Sequence, residues 1–222
     1  MSMDSIYGNW KQYVDKAEHD LVTKRLSSLY GNDSIFPAQR NVFRAFRECQ
    51  PHDVKVVIIG KDPYSKKGYA TGIAFANPVG IEPAPSLKVI KDSVSLLYDN
   101  TVITKFDNTL ESWCRQGILL INCALTVEEG NSGSHMLLWY PYMRELLKNF
   151  SSRNKGVVYM LFGGDAISLG KFINHKNNCV MGEKHPSWYA RTGNMMPSDI
   201  FEACNKYLKF YYKTSVNWME TF

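Results

Sequence analysis

The chain predicts an α/β protein, a three-layer α/β/α sandwich built on a central four-stranded, mainly parallel sheet. Two observations carry this prediction. Short runs that are apolar at every position recur along the 222 residues, and longer segments with helical spacing lie between them. A run with no polar alternation suits a strand covered on both faces, as in parallel sheets. Strands that alternate with helical segments form helices laid over such a sheet.

The strand candidates are Lys55–Ile59 (KVVII), Ile118–Ile121 (ILLI), Val157–Phe162 (VVYMLF) and a weaker one, Asn178–Met181 (NCVM). Apolar residues at helical spacing mark residues 10–30 and repeat over 40–49. Further helices are expected at Ser86–Tyr98 with Ser86 as a possible N-cap, Leu138–Ser151, Asp165–Ile173 and Ser198–Lys213. No repeat, low-complexity tract or linker divides the chain, so residues 1–222 are expected to form a single domain, with 1–35 an N-terminal helical segment.

Composition narrows the class. Hydrophobic residues make up 45% and charged residues 21%, ordinary for a soluble domain. The net charge of +5 is compatible with a polyanionic partner without proving one. Five scattered cysteines (49, 114, 123, 179 and 204) with no C-x-x-C pair argue against a disulfide scaffold or a cysteine-ligated metal. They fit buried thiols in a reducing compartment. With no apolar leader, no basic presequence and no stretch of membrane-spanning length, the protein is expected to be cytoplasmic, with no membrane partner.

In parallel α/β sheets, ligands bind beyond the carboxyl ends of the strands. Gly60-Lys61-Asp62-Pro63-Tyr64 follows the first strand, Asn122-Cys123-Ala124 the second, Gly163-Gly164-Asp165 the third, and His185-Pro186-Ser187-Trp188-Tyr189 the fourth. Each has an ordinary structural explanation: Asp before Pro is a turn former, a strand-terminal Asn a cap, and His-Pro-Ser a loop that positions a helix. An acid, a carboxamide and an imidazole at successive strand ends are harder to explain that way.

These residues stand within text that resembles the Ung-type (family 1) uracil-DNA glycosylases. The matching segments are Phe36-Pro37 with VFRAFR (42–47), KVVIIGKDPY (55–64), GIAFANP (72–78), EPAPSL (82–87), QGILLINCALTV (116–127), NSGSH (131–135), FGGDA (162–166) and HPS (185–187). The tail Val216-Asn217-Trp218 looks like the family's ending. The resemblance covers residue 36 to the C-terminus and implies a uracil-DNA glycosylase-like fold.

It also implies the activity: uracil flipped out of single- or double-stranded DNA is hydrolysed from its deoxyribose, starting base excision repair. No cofactor and no metal are implied. Asp62 would stabilise the sugar cation and orient the water, and His185 would donate to uracil O2 as a neutral imidazole. Asn122 would read the uracil edge, Tyr64 would exclude a thymine methyl, and Phe75 would stack on the base, although core packing alone also explains a Phe there. The backbone around Lys61 would touch uracil. Ser86 and Ser187 would grip phosphates, with helix capping as the plain alternative for Ser86. Uracil-containing DNA is the implied partner, together with the DNA-mimicking inhibitor proteins known for this family, and a monomer is expected.

Three positions depart from the family pattern. Lys61 stands where Gln is usual, Ser65 where His is usual, and Trp188-Tyr189 where Pro-Leu is usual, the Leu being the wedge that fills the vacated base stack. By position Tyr189 is the expected wedge, assisted by Trp188. Three other readings compete: a DNA-binding subunit that retains the fold, a thymine-directed glycosylase and a nucleotide-binding α/β module. The joint presence of Asp62, Asn122 and His185, the GKDPY text, and the lack of Gly-rich phosphate-binding motifs weigh against them.

Overall fold

The computed structural model describes residues 3–30, 34–99 and 103–221. At its centre lie four strands, β1 (Val56–Gly60), β2 (Ile118–Asn122), β3 (Val158–Phe162) and β4 (Cys179–Glu183). They are ordered β2-β1-β3-β4, and each neighbouring pair is parallel. All four runs read as strands in the sequence form, with bounds that differ from the expected ones by one or two residues. Every residue of β1, β2 and β3 is buried, as expected for strands covered on both faces. The edge strand β4 is mostly half-buried and contains Gly182, which accounts for its weaker apolar signal.

Helices flank the sheet: α1 (Lys16–Leu29), α2 (Pro85–Ser95), α3 (Met136–Arg153), α4 (Gly164–Leu169), α5 (Pro186–Thr192) and α6 (Asp199–Tyr212). The helical pattern over 10–30 is not one helix. A 3₁₀ turn, Gly8–Tyr13, gives way to α1 at Asp15, whose carboxylate accepts from the Glu18 N–H at 3.0 Å and starts a new helix. Over 40–49 only Arg44–Glu48 is α-helical, preceded by a 3₁₀ turn. Of the segment expected over 1–35, residues 1, 2 and 31–33 lie outside the described residues.

Aromatic clusters fill the core. Trp10 packs on Phe150 (4.8 Å between ring centroids), and its indole N–H donates to the Cys49 carbonyl at 2.7 Å. Trp113, Phe201 and Trp218 form a second cluster, with the Trp113 N–H donating to the Trp218 carbonyl at 3.1 Å. A buried indole N–H needs such a partner, and this one ties the C-terminal tail to the domain. The Gln116 and Asn217 hydrogen bonds, at 2.9 and 2.8 Å, reinforce the tie. Cys49, Cys114, Cys123 and Cys204 are buried free thiols, and Cys179 is half-buried. Among the described residues no helix is long and apolar enough to cross a membrane.

Candidate active site

The carboxyl ends of the four strands open onto one cleft of about 390 Å³, lined by Asp62, Tyr64, Phe75, Asn122, His185 and Ser187 among others. Parallel register brings distant residues together there, because Gly60 at the end of β1 pairs with Asn122 at the end of β2. Gly60 leaves the room that two side chains occupy. A Cβ on it would lie 2.5 Å from Asn122 Oδ1 and 2.8 Å from the Phe75 ring. Asn122 is buried, and its carboxamide has no hydrogen-bond partner among the described residues. Its polar atoms are not among the solvent-excluded unpaired ones, so the amide opens to the cleft, where it can meet a ligand.

Phe75 forms the floor. Its ring lies edge-on to Phe162 at 5.8 Å and tilted to His185 at 5.6 Å. Its backbone is left-handed, with φ 65°, a conformation that a bulky residue adopts only when its surroundings impose it. The constraints are visible on both sides. Ala74 N–H donates to the Leu120 carbonyl at 3.2 Å, and the Tyr64 hydroxyl donates to the Phe75 carbonyl at 2.8 Å. Burial holds the Tyr64 hydroxyl well above its ordinary pKa, so it remains a donor.

Asp62 stands at one wall. Its Oδ2 accepts from the Ser132 hydroxyl at 2.9 Å and from the Gly133 N–H at 2.5 Å. The loop carrying those donors is anchored by a buried network. The Trp139 N–H donates to Thr126 Oγ1 at 2.8 Å, and the Thr126 hydroxyl is 2.9 Å from His135 Nδ1. Lys61 extends toward the same loop, with its Nζ 3.5 Å from where a Gly133 Cβ would be.

His185 lines the same cleft, at the start of α5. Its Nδ1 takes the place of a capping oxygen, accepting the Ser187 N–H at 3.2 Å, with the Ser187 hydroxyl at 2.8 Å. A backbone N–H can only donate, so Nδ1 holds the lone pair and the neutral ring carries its proton on Nε2. Burial, then the charges of Lys61 and Arg191, lower this imidazole from 6.5 to about 4, against the pull of Asp165. The ring is therefore a neutral donor at pH 7. Gly163 allows its close approach, since a Cβ there would lie 2.9 Å from His185 Cβ.

The hydroxyls sit around the mouth. Ser86 lines the cleft but does not cap its helix; Ala84 holds the cap position, Pro85 follows, and Ser86 falls in the first turn. Pro85, pre-set for the first helical position, moves the start one residue ahead of where a Ser cap would put it. Ser65 and Ser187 also line the cleft, as does Arg191, whose Nη1 is 3.4 Å from Ser187 Oγ. Tyr189 differs from expectation. One helical turn beyond His185, it faces the protein rather than solvent and is buried, with its hydroxyl donating to Glu183 at 2.6 Å. The adjacent Trp188 is half-buried, edge-on to Tyr189 at 4.9 Å, with Lys184 Nζ 3.9 Å above its ring.

The family model of the uracil DNA glycosylase superfamily matches residues 46–209. The chain belongs to that superfamily. A uracil-DNA glycosylase of Dichelobacter nodosus is 35% identical over 184 residues, covering 82% of this chain and 80% of its own length. One from Borreliella burgdorferi is 34% identical over 210 residues, covering 94% and 90%. Among solved structures, a mimivirus UNG variant in complex with UGI superposes with a TM-score of 0.84 at 23% identity, over 98% of this chain and 91% of that one. Mimivirus uracil-DNA glycosylase itself gives 0.75 at 22%, over 97% and 91%. These two likenesses show the fold.

In this superfamily member the cleft gathers Lys61, Asp62, Tyr64, Ser65, Phe75, Ser86, Asn122, His185 and Ser187, while Trp188 and Tyr189 are not among its lining residues. The sequence alone did not single out Ser132 and Gly133, which hold the Asp62 carboxylate. Their signal was the NSGSH text, whose contact with Asp62 spans 70 residues and has no local periodicity. Gly60 and Gly163 were likewise visible only as strand ends.

Proposed function

We propose that this chain hydrolyses the N-glycosidic bond of deoxyuridine in DNA, releasing uracil and leaving an abasic site as the first step of base excision repair. The observation that carries it is the Asn122 carboxamide set beside the Phe75 ring, which itself lies 5.6 Å from the neutral His185 ring. A planar base on Phe75 presents its edge to Asn122, which donates to O4 and accepts from N3–H of uracil. Cytosine reverses that pattern, and a buried amide facing the wrong polarity is expensive. The Tyr64 ring occupies the space of a thymine 5-methyl group.

Cleavage develops positive charge on the sugar and negative charge on the departing base. Asp62, held by Ser132 and Gly133, lies on the sugar side, where its carboxylate stabilises the cation and orients the attacking water. His185 Nε2–H donates to O2 as uracil leaves as an anion, with Lys61 and Arg191 adding positive potential. The reaction draws on these groups and needs no bound metal.

The base must first leave the duplex, which costs about a few kcal/mol. Ser65, Ser86 and Ser187 hold the flanking phosphates through hydroxyl and backbone donors. Trp188 fills the vacated stack, because it is the more exposed of the two α5 aromatics, while Tyr189 stays packed with its hydroxyl on Glu183. The same DNA-shaped mouth would take a DNA-mimicking inhibitor protein. The chain works as a monomeric single domain over residues 1–222, in the cytoplasm.

Oligonucleotides carrying one uracil, thymine or cytosine, incubated with and without EDTA and then treated with alkali, test this reading. Strand breaks at uracil only, EDTA-insensitive and lost in Asp62→Asn, are the expected result. A wild-type rate on uracil no higher than that of Asp62→Asn would refute it.

A further inference from the structure

A second depression, of about 610 Å³, opens beside the catalytic cleft, between the loop after β1 and the Pro-rich turn into α2. Tyr64 and Ser65 line both, so the two are adjacent. One wall is the half-buried Tyr69 ring, held edge-on to Tyr64 at 6.1 Å. The Pro83-Ala84-Pro85 turn faces it. Lysines stand at the rim. Lys66 Nζ is 4.7 Å from the Tyr69 centroid and 3.4 Å from its hydroxyl, and Lys88 is paired with Glu82 at 3.8 Å. That pair is exposed on both sides, so a competing phosphate can take the lysine from it.

We infer that this groove is a subsite for the nucleotide next to the flipped uridine, its base lying between Tyr69 and the Pro83–Pro85 turn and its phosphate met by Lys66 and Lys88. The inference rests on the proposed uracil excision from DNA. An aromatic platform backed by apolar rings and rimmed with cations is the arrangement that binds single strands, because every base offers a π-face. Nothing in the apolar wall reads a base edge, so the subsite is tolerant of sequence. In a duplex the neighbouring base stays paired and stacked, so the groove serves unpaired substrates.

The test compares wild type, Tyr69→Ala and Tyr69→Phe on single-stranded and duplex uracil oligonucleotides. Tyr69→Ala is expected to raise KM for the single strand about tenfold, with kcat and the duplex KM within about twofold of wild type and Tyr69→Phe near wild type. On single strands shortened from the 5′ or the 3′ side of uracil, the deficit is expected to vanish with one truncation. Equal effects on single strand and duplex, no effect on either, or a deficit that survives both truncations would overturn the subsite. Wild-type uracil release reports separately on the parent reading. Should that release fail, fluorescence anisotropy with a uracil-free oligo-dT still decides the groove: weaker binding by Tyr69→Ala supports it, and unchanged binding overturns it.

Discussion

Gly60 and Asn122 are register partners across β1 and β2, and the missing side chain of the first is the space occupied by the carboxamide of the second. The Phe75 ring shares that space, so a methyl group at Gly60 strikes both groups proposed to receive the base. Gly60→Ala is expected to cost about 1–3 kcal/mol of stability from overpacking. Its uracil excision should fall far more than unfolding explains. Thermal melting and inhibition by free uracil check this: a folded variant that still binds uracil normally would contradict the geometry.

The His185 environment predicts a pH profile. Its folded pKa, about 4, lies below the unfolded value of 6.5, so the folded ring stays neutral down to about 4. Excision should therefore show no His185-dependent loss from pH 7 to about 5, and should fall as pH approaches 4. Stability responds at higher pH: between 6.5 and about 4 the unfolded chain takes a proton that the folded site refuses, so this residue lowers stability as pH falls. Lys61→Gln removes a cation that depresses the ring, so the acid limb of kcat/KM should move to higher pH. An unmoved limb would show that Lys61 does not act on His185.

Ser132 supplies one of two donors to Asp62 Oδ2. Ser132→Ala leaves the Gly133 N–H in place and should reduce kcat about tenfold with KM within twofold, the mark of a lost interaction that matters in the transition state. Single-turnover kinetics on a uracil oligonucleotide would read this. A KM effect alone would instead assign Ser132 to binding DNA.

The two rings of α5 should separate by substrate. Trp188→Ala is expected to lower duplex excision about tenfold while leaving single-strand excision within twofold, because only a duplex has a stack to fill. Tyr189→Ala, which empties a buried site and frees Glu183, should chiefly lower the melting temperature. The reverse pattern, with Tyr189 controlling the duplex preference, would mean that its ring leaves the packed position on DNA.

Much of this was legible in the residues. β1, β2 and β3 are apolar at nearly every position because both of their faces are covered, and that pattern needs no tertiary information. β4 was fainter because an edge strand containing Gly182 buries less. The break at Asp15 was hidden inside a continuous apolar spacing, since a cap interrupts hydrogen bonding without interrupting periodicity. α5 was concealed by Pro186, which reads as a loop residue yet suits a first helical position. Within the site, strand ends pointed to Asp62, Asn122 and His185. The donors that hold Asp62 could not be found this way, because a contact spanning 70 residues leaves no local mark. Nor could the left-handed backbone of Phe75, where no glycine announces it.

On the proposed function, the hydrogen bond from Tyr64 to the Phe75 carbonyl makes the residue that would reject thymine also a support for the ring on which the base would rest. A single substitution that opened the pocket to a methyl group would loosen that surface in the same step. The first mutational move toward attacking ordinary DNA thus weakens the enzyme that makes it.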